Sequence, residues 1–83
     1  MKNIFKKMEK NRLVCVIGNF DCYAPVETIG NVGVITEVLN GVVDGVKYRD
    51  KFVVLFDDEY SGYREWIYSS DEITDEWSDY FNR

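Results

Sequence analysis

Apolar positions along the chain fall into short runs with the period of a strand, separated by turn residues. Leu13-Val14-Cys15-Val16-Ile17 is a continuous, β-branched run stopped by Gly18-Asn19, the pattern of a buried strand. Val32 to Leu39 carries Val32, Val34, Thr36 and Val38 on one parity and Gly33, Ile35, Glu37 and Leu39 on the other, which predicts a second strand. Asn40-Gly41 and Asp44-Gly45 are dipeptides that readily take positive φ, so the chain is expected to reverse there. Val46 to Phe56 then sets Tyr48, Phe52, Val54 and Phe56 against Lys47, Arg49, Lys51, Val53 and Leu55. The polar stretch Asp57 to Gly62 predicts a hairpin turn, and Tyr63 to Tyr68 a fourth strand with Arg64, Trp66 and Tyr68 opposed to Tyr63, Glu65 and Ile67. Folded together, these strands predict a core of Val14, Val16, Val34, Val38, Val54, Phe56 and Ile67.

The two ends read differently. Residues 1–12 hold Lys2, Lys6, Lys7, Lys10 and Arg12 against Glu9, and Ile4, Phe5 and Met8 would line one apolar edge if the segment formed a short helix. At the other end Ser69 is followed three residues later by Glu72, the signature of a capping box at a helix start. Beyond it Ile73, Trp77, Tyr80 and Phe81 recur at helical spacing, while Asp71, Glu72, Asp75, Glu76 and Asp79 fill the remaining positions. An acidic amphipathic C-terminal helix is expected. Between the first two strands, Gly18 to Gly30 is irregular and contains the chain's one proline, Pro25.

Eighty-three residues and 9.7 kDa allow one hydrophobic core, and 16% aromatic residues give that core bulk. The expected class is mainly β, a small five-stranded barrel. Thr28-Ile29-Gly30-Asn31-Val32-Gly33-Val34-Ile35-Thr36-Glu37-Val38, preceded by Val14-Cys15-Val16-Ile17-Gly18-Asn19, resembles the KOW-type SH3-like barrel. Phe52-Val53-Val54-Leu55-Phe56-Asp57-Asp58 and Glu65-Trp66-Ile67-Tyr68-Ser69-Ser70-Asp71-Glu72-Ile73 are similar to the final hairpin and closing turn of small SH3-like domains in phage and bacterial proteins of unassigned role. The organisation read from this is a basic segment over 1–12, an SH3-like barrel over 13–73 and an acidic helix over 74–83.

Chemistry is constrained by what is missing. There is no His, which removes the commonest general base and the commonest metal ligand. Cys15 and Cys22, with six residues between them and without further cysteines, build neither a zinc site nor a redox pair, so both are expected to be free and unreactive. The acidic groups Asp57-Asp58-Glu59 and Asp71 to Glu76 lack the alternating spacing of a calcium loop. No catalytic residue, metal or cofactor is therefore expected. The longest apolar run near the N-terminus is far short of the roughly 20 residues that cross a bilayer, and a cytoplasmic location without membrane contact is expected, the host cytoplasm if the protein is phage-encoded.

Charge directs the functional reading. The formal net charge is -5, and residues 57–83 hold nine of the fifteen carboxylates with only two of the ten basic side chains. A 13-residue helix is about 20 Å long, a length over which duplex DNA carries about 12 charges; five helix carboxylates do not imitate that alone. A local patch joined by Asp57, Asp58 and Glu59 is possible, and so is a merely solvated face. The expected function is a non-catalytic protein-binding module, most concretely a phage-like inhibitor or modulator docking on a basic surface of a host protein. Its expected contacts are Asp57, Asp58, Glu59, Tyr60, Tyr63, Asp75, Glu76 and Asp79. The alternative, which the KOW resemblance implies, is a nucleic-acid or transcription-complex binder using Lys47, Arg49 and Lys51. A homodimer is a further possibility.

Overall fold

The computed structural model describes residues 9–19 and 24–76. Five strands, β1 (Leu13–Val16), β2 (Val32–Val43), β3 (Val46–Tyr60), β4 (Tyr63–Ser69) and β5 (Ile73–Thr74), form one antiparallel sheet in the order β4-β3-β2-β1-β5. Two short 3-10 turns, Val26–Thr28 and Ser70–Glu72, lie in the β1–β2 and β4–β5 connections. The sheet curls into a half-barrel compatible with the SH3-like architecture. The curl shows in β3, whose fifteen residues would span about 46 Å if straight, more than the molecule's longest extent of 40 Å. Register shifts between Ile35 and Glu37 and between Leu39 and Gly41 supply the bends, as β-bulges do.

The concave face holds the core. Val14 and Val16 of β1, Ile35 of β2, Phe52, Val54 and Phe56 of β3, Tyr68 of β4 and Ile73 of β5 pack there with Ala24. Phe56 meets Tyr68 and Tyr60 edge to face, with ring centroids 6.2 and 5.5 Å apart. Tyr68 is buried with its hydroxyl donating to Thr28 Oγ1 at 2.7 Å, and Thr28 Oγ1 donates in turn to the Pro25 carbonyl at 2.7 Å. That chain of bonds ties the irregular β1–β2 connection to the floor of the core. Cys15 is buried, and burial pushes its thiol pKa up, in keeping with an unreactive side chain. Cys22 lies outside the described residues.

Several expectations are corrected. Val34 is half-buried, Val38 is 44% exposed and Ile67 is exposed, whereas Ile35, Phe52 and Tyr68 are in the core. The face of β2 that turns inward carries Gly33, because a Cβ there would stand 2.6 Å from Val54 Cγ1 and 2.7 Å from the Leu55 carbonyl. Asn40-Gly41 does not reverse the chain; β2 runs through it to Val43. The reversals are two-residue turns with both φ positive, Asp44 (52°) with Gly45 (80°) and Ser61 (54°) with Gly62 (88°), the geometry that matches strand twist.

The C-terminal helix does not begin at Ser69. The Ser69–Glu72 capping box is present, with the Ser69 N–H donating to Glu72 Oε1 at 2.7 Å, but it caps only the turn Ser70–Glu72. Ile73 and Thr74 then pair with Val16 and Cys15, because Ile73 gains core burial and a strand partner together. The rest of the expected helix, residues 77–83, lies outside the described residues, as do residues 1–8 of the basic segment. Glu9 to Arg12 form a turn, with Arg12 N–H to Glu9 C=O at 3.2 Å and Asn11 at φ 73°, so no helix enters β1.

Two substitutions test this core by chemical denaturation. Gly33→Ala should lower stability by about 1–3 kcal/mol through overpacking against a backbone carbonyl. Phe56→Ala should cost about 3–5 kcal/mol by opening a cavity. Unchanged denaturation midpoints for both would refute the inward assignment of Gly33 and Phe56.

Candidate binding surface at the β3–β4 hairpin

β3 and β4 pair regularly from Lys51↔Ser69 to Leu55↔Glu65 and meet again at Tyr60↔Tyr63. Between those points four residues of β3, Phe56 to Glu59, stand opposite Arg64 alone. Phe56 turns into the core, and the excess length pushes Asp57, Asp58 and Glu59 out as consecutive exposed residues. Side chains of β4 pin this excursion. Arg64 Nη2 donates to the Asp57 carbonyl at 2.6 Å, and Trp66 Nε1 donates to the Tyr60 carbonyl at 3.2 Å. Asp58 Oδ1 accepts the Glu59 N–H at 2.9 Å.

Rings flank the carboxylates. Tyr60 is half-buried on Phe56, while Tyr63 is 66% exposed and stands edge to face on Trp66 at 5.7 Å. A tyrosine so held offers an apolar body and a hydroxyl without much further loss of freedom. The arrangement can accept hydrogen bonds and charge from Lys or Arg side chains and cover their stems with a ring. Among the described residues no three His, Cys, Asp or Glu side chains converge as metal ligands.

The other expected contacts lie elsewhere. Asp75 follows β5, at the opposite end of the strand order, and its side chain is only 6% exposed, paired with Arg12 Nη1 at 2.7 Å. That carboxylate joins the chain before β1 to the chain after β5, so it serves the fold. Glu76 is exposed beside it, and Asp79 lies outside the described residues. Lys47 and Arg49 are exposed at the far end of β3 from the acidic excursion. Lys51 is half-buried and donates to Ser69 Oγ at 2.7 Å. Bulging at Arg49-Asp50 opposite Asn40 breaks the alternation that would align the three basic side chains.

Arg64 and Trp66 had no place in the expected surface. Their roles depend on the four-against-one pairing, which alternation does not encode. No helix among the described residues is long and apolar enough to cross a membrane. No family model, curated protein or solved structure matches the chain.

Arg12→Ala removes a charged partner from a largely buried carboxylate and should lower stability by about 1 kcal/mol or more. Asp58→Ala, on the exposed excursion, should stay within about 0.5 kcal/mol of the parent. Equal effects in urea denaturation would mean that the two acidic groups do not differ as their burial indicates.

Proposed function

We propose that the protein is a non-catalytic binding module whose β3–β4 hairpin docks on a basic surface of another protein. The observation that carries this reading is the pinned, exposed run Asp57-Asp58-Glu59 beside the exposed ring of Tyr63. Three adjacent carboxylates repel one another, and a partner presenting Lys or Arg relieves that repulsion while the ring supplies apolar contact. Tyr60 supports the excursion from below, and Asp75 is left out because it is engaged with Arg12. An inhibitor or modulator of a basic, nucleic-acid-binding host protein is the most concrete form of this reading.

The alternative, nucleic-acid binding through Lys47 and Arg49, finds less support, since Lys51 is tied to Ser69 and the carboxylates of Asp44 and Asp50 lie among these bases. The two readings separate by the sign of the charge that matters. Reversing Asp57, Asp58 and Glu59 to Lys should abolish capture of a basic protein partner, and reversing Lys47 and Arg49 to Glu should leave it intact. Protein, RNA and DNA fractions are to be assayed side by side at physiological salt, because screening weakens both kinds of contact. Tight binding of single-stranded RNA that is lost on the basic reversal and kept on the acidic one would overturn the proposal.

A further inference from the structure

We draw no further inference here: the strongest candidate, the apolar row Leu13, Val34 and Leu55 across β1, β2 and β3 on the face of the sheet opposite the core, carries nothing because no described residue shows what covers it.

Discussion

The rest of the fold depends on how the chain returns from β4 to β1. These strands lie far apart in the sheet order, and β5 must cross the open mouth of the half-barrel to join the β1 edge. Ser70–Glu72 makes the crossing in one 3-10 turn, with the Glu72 carboxylate buried and accepting the Ser69 N–H, and the Glu72 carbonyl accepting the Ile17 N–H at 2.8 Å. An acidic side chain withdrawn from water costs free energy unless hydrogen bonds replace its hydration, so this turn is committed to one geometry. Only in that geometry does Ile73 reach Val16 and close the apolar layer, and only then does Asp75 come beside Arg12.

β3 is the second organising element, because it is too long for the body it serves. The core uses it from Phe52 to Phe56. What remains projects at both ends, as the two-stranded ribbon with β2 around Asp44-Gly45 and as the acidic excursion before Ser61-Gly62. The ends differ in character. Lys47 and Arg49 lie at one and Asp57, Asp58 and Glu59 at the other, so the segregation of charge seen along the sequence becomes a separation along one strand.

Legibility followed the same division. Where strands pack on one another, alternation located them: β1, β3 and β4 begin at the expected residues, and Val14, Val16, Val54 and Phe56 are buried as expected. On β2 alternation chose the wrong face at Val34, since the inward positions there are Gly33 and Ile35, and the missing Cβ of Gly33 is legible only once Val54 is known to cross it; past the register shift after Ile35, Val38 stands opposite Phe52 yet stays 44% exposed. The acidic residues were legible as a group and not as a surface. Asp57, Asp58 and Glu59 emerge through unequal strand lengths between Leu55 and Tyr60, a property of two strands together. Asp75 had the composition of a helix face but the position of a closing ion pair, a difference set by partners more than sixty residues away in the chain.

Neither projecting end is explained by packing. Residues 40–51 contribute nothing to the core cluster, and a two-stranded ribbon standing clear of a sheet is marginal in water. Val42 and Val46 are 70% and 51% exposed, each forgoing about 1 kcal/mol that full burial would provide. Asp57 to Glu59 likewise hold like charges side by side where a shorter turn would close the hairpin. Both features work against the stability of an isolated chain. For the acidic end, the proposed contact is a cationic surface, which would offset the repulsion among the three carboxylates. The ribbon and the acidic excursion sit at opposite ends of β3, so a contact that relieves the carboxylates leaves the ribbon as it is.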